Sequence, residues 1–127
     1  MTIKMSTKGP LEFFYSTQKE ITEPEIATLT STLPEWVQGM YLRTGPGYFD
    51  FTTGESFTVH HFLDGYALLS RFRIGSNQVS YDSKYLQTDS YRKAKMVGKP
   101  VVQEFGTKPS PDPTKSLFTR FIPSLVS

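Results

Sequence analysis

A chain of 127 residues, 37% hydrophobic and 20% charged, has the composition of one folded domain with a modest core rather than of a disordered segment. Its formal net charge of +2 is too small and too dispersed to form a nucleic-acid footprint. With no cysteine, the chain offers no disulfide, zinc-thiolate site or thiol nucleophile, which fits the cytosol.

The opening residues 1–10 are polar and are expected to be mobile. MTIKMSTKGPLEFF lacks the uninterrupted apolar core of a signal peptide. No run approaches the roughly 18 apolar residues of a membrane-spanning helix. The expectation is a cytoplasmic protein, or one that rests on a membrane surface. Leu11–Tyr15 is an apolar patch without a settled period. Thr22-Glu23-Pro24-Glu25 has the spacing of a helix capping box with proline in the first turn. The threonine-rich run Ile26–Thr32 suits an extended strand better, and strand is favoured over helix there. Pro34 ends any regular element before Trp36, Val37 and Gly39.

From Gly39 the pattern predicts strands. Met40–Thr44 is a short one, closed by Gly45-Pro46-Gly47, where proline then glycine fits a type II turn. Phe57–Phe62 is a second, and Asp64-Gly65 a hairpin dipeptide before the long strand Tyr66–Ile74. In that strand Leu68, Ser70, Phe72 and Ile74 share one face, with Arg71 and Arg73 on the other, as in a half-buried antiparallel strand. Gly75-Ser76-Asn77 turns the chain into Gln78–Thr88, where Val79, Tyr81 and Tyr85 alternate with Ser80, Asp82 and Lys84. The basic cluster Arg92-Lys93-Ala94-Lys95 reads as a solvated strand end. A further strand is predicted over Pro100–Phe105, after a Gly98-Lys99 turn. Strands joined by tight turns make an antiparallel meander, with which a barrel, a sandwich and a propeller blade all begin.

After the proline-rich loop 108–113, Leu117, Phe118, Phe121, Ile122, Leu125 and Val126 recur at helical spacing on one face. Pro123 limits the regular helix to Thr114–Ile122. The pattern alone fits two roles, packing against a larger core or lying in a membrane interface, and it favours packing.

Residues that could carry chemistry are few. His60 and His61 are the only histidines. Adjacent in a strand, they face opposite sides and cannot jointly hold a metal. The chain has no Gly-x-Ser-x-Gly elbow, and Lys115-Ser116 lacks the glycines of a phosphate loop. Gly45-Pro46-Gly47 is a poor anion cradle, because proline removes a donor. No catalytic residue and no metal ligand is expected in this segment.

The ordered series of motifs carries more. Leu33-Pro34-Glu35-Trp36-Val37-Gln38-Gly39 is followed by Tyr41-Leu42-Arg43-Thr44-Gly45-Pro46-Gly47-Tyr48-Phe49. Then come His60-His61-Phe62-Leu63-Asp64-Gly65-Tyr66-Ala67-Leu68-Leu69, Val79-Ser80-Tyr81 and Leu86-Gln87-Thr88-Asp89-Ser90-Tyr91. Glu104-Phe105-Gly106-Thr107 and Pro111-Asp112-Pro113 complete it. Across residues 11–127 this order and spacing resemble the N-terminal segment of the carotenoid cleavage oxygenase family, especially its animal carotenoid and retinoid branch.

The resemblance implies an all-β fold, the first part of a seven-bladed β-propeller, with residues 1–127 as the N-terminal part of a single propeller domain. It implies a non-haem Fe(II) held by four histidines in the full-length protein. Dioxygen would be the co-substrate that splits a conjugated double bond of a carotenoid, and some relatives isomerise a retinyl ester. This chain stops before the region of the family's first iron histidine, and His60 and His61 fall in the hairpin motif, which is not a ligand position. Phe105 matches a position lining the substrate tunnel, although a strand-core phenylalanine fits it about as well. Leu63 replaces the usual phenylalanine before Asp64-Gly65, a departure that bears on local packing or on the same tunnel wall. The segment 114–126 matches the region that docks relatives on membranes, which turns the preference for Leu117, Phe118, Phe121 and Ile122 toward membrane contact. The expected partners are a carotenoid or retinoid, O2 and a membrane surface, with no nucleic acid.

A different class, a small lipid-binding barrel, suits the length and the strand content. Nine prolines suit it poorly, since proline breaks sheet ladders. A short non-catalytic product of the same family, docking on membranes, is the other alternative. In isolation the segment is expected to expose apolar faces and open strand edges, and so to be of marginal stability.

Overall fold

The computed structural model describes residues 12–53 and 55–113. Among these, six strands run as β1 (Ile21–Ile26), β2 (Gly39–Tyr48), β3 (Asp50–Phe51), β4 (Phe57–Thr58), β5 (Tyr66–Gly75) and β6 (Gln78–Tyr85), followed by helix α1 (Asp89–Val97). Single 3-10 turns cover Glu12–Tyr15 and Phe62–Asp64. The chain divides into two compact units, one reaching Phe49 and resuming over Gly65–Leu86, the other comprising Asp50–Asp64 and the chain from Gln87 onward.

The first unit is a four-stranded antiparallel sheet in the order β1-β6-β5-β2. Its heart is the β5–β6 hairpin, paired from Leu68↔Tyr85 to Gly75↔Gln78. Ser76 and Asn77 form the two-residue turn with φ of 49° and 55°. Positive φ at both positions gives the turn a twist that matches the flanking strands. The alternation of β5 sorts its side chains as expected. Tyr66 and Leu68 are buried, and Phe72 packs its ring 4.8 Å from Tyr81 and 5.9 Å from Tyr41. On the opposite face Arg71 Nε donates to both carboxylate oxygens of Asp82 at 3.0 Å, and the Arg73 guanidinium stands 3.9 Å away. β1 departs from a simple meander, since the first strand in the chain pairs with β6, the last of this sheet.

Tyr85 locks the sheet to the incoming chain. Its hydroxyl lies between the carbonyls of Gln18 and Gly47, 2.8 Å from the latter. Its backbone N–H donates to the Glu20 carboxylate at 2.7 Å. Tyr48 meets the same ring edge-on, with centroids 5.4 Å apart.

The structure corrects several sequence expectations here. Gly45-Pro46-Gly47 is not a turn, because β2 runs through it to Tyr48, with Gly45 opposite Leu68 and Pro46 opposite Ala67. Proline is tolerated because β2 is an edge strand. Glycine at 47 is required by close approach, since a Cβ there would lie 2.7 Å from the Leu68 Cβ. The strand expected over 26–32 ends at Ile26, and β1 instead occupies Ile21–Ile26, including the suspected capping box. Phe57–Phe62 keeps only the two residues of β4 before turning into the 3-10 turn, so Asp64-Gly65 is not a hairpin tip. The residues expected as the amphipathic helix, Thr114–Ile122, lie outside the described residues, as do residues 1–10.

In the second unit β3 pairs with β4, and α1 takes the place of the expected strand end at Arg92–Lys95. Thr88 caps the helix, its hydroxyl accepting from the Tyr91 N–H at 3.2 Å. Gly98 ends it in the left-handed region at φ 81°, with its N–H donating to the Ala94 carbonyl at 2.8 Å. These are the usual start and stop chemistries of a short helix. Tyr91 and Ala94, three residues apart, bury one face, while Arg92, Lys93 and Lys95 stay in water. Phe51 and Val59 are buried in the same unit. Pro100–Phe105, expected as a strand, is irregular and is held by the Ser110 N–H donating to the Pro100 carbonyl at 2.7 Å.

Candidate functional site

Within the second unit, the 3-10 turn Phe62–Asp64 and the loop Glu104–Thr107 meet at one buried carboxylate. Asp64 is only 3% exposed. Its oxygens accept from the Gly106 N–H at 3.0 and 3.2 Å and from the Thr107 hydroxyl at 2.6 Å. A hydroxyl has a single hydrogen, so Thr107 Oγ1 is committed as donor to Asp64. Its lone pair then accepts from the His60 N–H at 2.8 Å. The result is a closed chain of hydrogen bonds from residue 60 through Thr107 and Asp64 to Gly106.

A carboxyl buried this deeply would ordinarily be pushed up by desolvation. Here the Thr107 hydroxyl, the backbone N–H groups of Gly106 and Phe105 and the nearby His61 outweigh that effect. Together they hold the Asp64 carboxyl below its ordinary value of 3.8. The group is therefore a fixed anion at neutral pH.

His61 completes the cluster from the other side. Its Nδ1 accepts from the Leu63 N–H at 3.1 Å, and its ring lies 4.8 Å from that of Phe105, tilted by 58°. A Cβ on Gly106 would fall 2.6 Å from the His61 Cβ. Glycine is what lets the loop come close enough for Phe105 to reach the imidazole.

Both residues expected on a substrate tunnel thus sit on this brace, Leu63 immediately before Asp64 and Phe105 immediately before Gly106. Their side chains are not buried among the described residues. Phe105 is 79% exposed and Leu63 is 66% exposed. The strand expected at 105 is not formed, since the backbone there is irregular. Asp64, Gly106, Thr107 and His61 were not marked by sequence reasoning. The available signal was an acidic residue directly after a His-His-Phe-Leu run, paired at long range with Gly-Thr, and it had been absorbed by the hairpin reading. Leu117, Phe118, Phe121 and Ile122 lie outside the described residues.

Among the described residues, no group of three or more histidine, aspartate or glutamate side chains could hold a metal ion. His60 turns its ring to Phe57, 5.5 Å away, and His61 uses Nδ1 within its own turn. The donor set of the implied iron is not met by these residues. No helix among them is long and apolar enough to cross a membrane.

Comparison with known proteins identifies the setting of this cluster. The family model RPE65, retinal pigment epithelial membrane protein, matches residues 14–124. The rat beta,beta-carotene 15,15'-dioxygenase is 45% identical over 107 residues, covering 84% of this chain and 18% of that protein. The carotenoid isomerooxygenase of Galleria mellonella is 40% identical over 105 residues, covering 83% of this chain and 20% of that protein. A variant of the Synechocystis apocarotenoid oxygenase superposes with a TM-score of 0.63 at 25% identity, over 76% of this chain and 20% of that one. The chain therefore spans about a fifth of the length of the curated relatives it matches. Its solved neighbours are β-propellers, in agreement with the antiparallel sheet described above. With most of its length inside the family model and two-fifths or more of its aligned residues shared with these enzymes, the chain belongs to the retinal pigment epithelial membrane protein family of carotenoid oxygenases.

Proposed function

We propose that this chain is the N-terminal part of a single propeller domain in a non-haem Fe(II) carotenoid oxygenase. The whole enzyme would cleave a conjugated double bond of a carotenoid or apocarotenoid with O2. The observation that carries this reading is the 45% identity to the rat dioxygenase across 84% of the chain. Iron, bound by histidines beyond this stretch, would supply dioxygen activation. The chain's own part is to bind and orient.

A polyene offers no hydrogen-bonding groups along its length, so it is held by apolar contact and by exclusion of water. Leu63 and Phe105 are suited to that task, being large, apolar and exposed on a backbone held by hydrogen bonds to side chains. Leu117, Phe118, Phe121 and Ile122 would dock the protein on the membrane in which such a substrate dissolves. Alone, the segment would be inactive.

The test is a chimera in which residues of this chain replace the matching stretch of the rat enzyme. Cleavage of beta-carotene at the rat position, followed by chromatography of the products, is the expected result. A folded, iron-loaded chimera without cleavage would overturn the reading. So would stoichiometric iron and turnover in the 127-residue chain by itself.

A further inference from the structure

Resting on that reading of Leu63 and Phe105, we propose that Asp64, Thr107 and His61 are positioning residues that set these two apolar side chains in a fixed relation for the polyene. Three observations converge on it. The Asp64 carboxylate binds the backbone N–H directly after Phe105 and the hydroxyl two residues after it. The residue directly before Asp64 is Leu63, whose own N–H is taken by His61 Nδ1. The His61 ring packs against Phe105, through a gap that only Gly106 leaves open. Each apolar side chain is thus tied to the same two polar residues, one through hydrogen bonds to backbone and one through the imidazole.

The chemistry suits positioning rather than catalysis. Asp64 is buried, saturated with donors and held ionised, so it has no proton to give. The Thr107 hydroxyl spends its hydrogen on Asp64 and a lone pair on His60. Such a network restrains backbone geometry because moving either loop lengthens hydrogen bonds to a buried charge. Exposed side chains on a loose loop would sample many positions. On this brace they are pre-organised, and pre-organisation lowers the ordering cost of binding.

The experiment uses the same chimera with beta-carotene as the probe. Asp64→Asn, Thr107→Val and His61→Phe are the breaking variants, and Thr107→Ser is the conservative one. His61→Phe keeps an aromatic ring against Phe105 and removes the Nδ1 acceptor together with the imidazole's influence on Asp64. The expected result is a KM raised by about tenfold, with kcat per iron changed far less, since tenfold corresponds to about 1.4 kcal/mol, the scale of the ordering cost of a freed side chain on binding. Thr107→Ser retains the parent KM, because it keeps the hydroxyl that binds Asp64.

A merely structural role gives a different pattern. The folded, iron-loaded fraction falls, apparent kcat falls with it, and KM stays unchanged. That pattern overturns the inference. Phe105→Ser and Leu63→Ser separate the two levels of the argument. If they leave KM unchanged, the reading of these residues as substrate contacts fails and the inference falls with it. If they raise KM while the breaking variants do not, the reading stands and the inference alone is overturned.

Discussion

In the sheet unit the backbone is held by ladders, with β5 paired along nearly its whole length on both sides, to β2 and to β6. In the unit containing α1 the strands are only two residues long, and much of the holding is done by side chains that reach to backbone. A ladder shares its load over many equivalent bonds, so one side chain matters little unless it fills the core. A brace concentrates its load at Asp64, Thr107, Thr88 and Gly98. Single substitutions should therefore cost more in the second unit than in the first, and site-resolved hydrogen exchange can measure this in each unit separately.

The largest effect is expected for Gly98→Ala. The residue sits at φ 81°, and the new Cβ would lie 2.2 Å from the Thr53 carbonyl oxygen. Backbone strain plus this collision should cost about 3 kcal/mol. The protection of the Tyr91 and Ala94 amides should fall accordingly. Unchanged protection there would break the contrast at its strongest point.

Asp64→Asn follows at about 2 kcal/mol, the scale of lost hydrogen bonds to a buried charge. The amide would also turn a donor toward one of the donors that now bind the carboxylate. A pH series sharpens the same point. The folded carboxyl lies below 3.8 and the unfolded one near it. The brace therefore contributes fully above the unfolded value and is lost as pH falls through the folded one. Protection of the Gly106 amide, which donates to the carboxylate, should drop in acid in the parent protein, and Asp64→Asn should remove that dependence.

In the sheet unit, Tyr85→Phe removes a hydroxyl from between two carbonyls and should cost about 1 kcal/mol, read from the amides of β6. The smallest effect is expected for Arg71→Met. Its side chain is a third exposed, and the pair with Asp82 should be worth less than about 1 kcal/mol and should weaken further in salt. An Arg71 effect larger than that of Asp64 would reverse the contrast.

The sheet was the more legible unit. Alternation over β5 and β6 and the Ser76-Asn77 turn are local signals, and the strands follow them. The misreadings share a cause, which is that a residue's meaning depended on a distant partner. Gly45-Pro46-Gly47 looks like a turn until Leu68 is placed beside Gly47. Arg92–Lys95 looks like a solvated strand end until Thr88 and Gly98 are recognised as caps, ten residues apart and with Tyr91 and Ala94 at helical spacing between them. Of the candidate site, Leu63 and Phe105 were reachable only through family resemblance. The brace beneath them spans more than forty positions, from Asp64 to Thr107, and no local period encodes such a pairing.

The two outer strands of the sheet share one further trait. β1 contains Pro24 and β2 contains Pro46, and in each strand the register shifts beside that proline, between Ile21 and Glu25 and between Pro46 and Tyr48. A rim with a regular run of donors and acceptors is a template on which another copy can add a strand and begin a fibril. Here the template is misspelled on both sides. Stacking of copies through the sheet rims is disfavoured. Clumping of this chain would have to begin instead from exposed side chains such as Trp36, Met40 and Tyr41, where charge and detergent can oppose it.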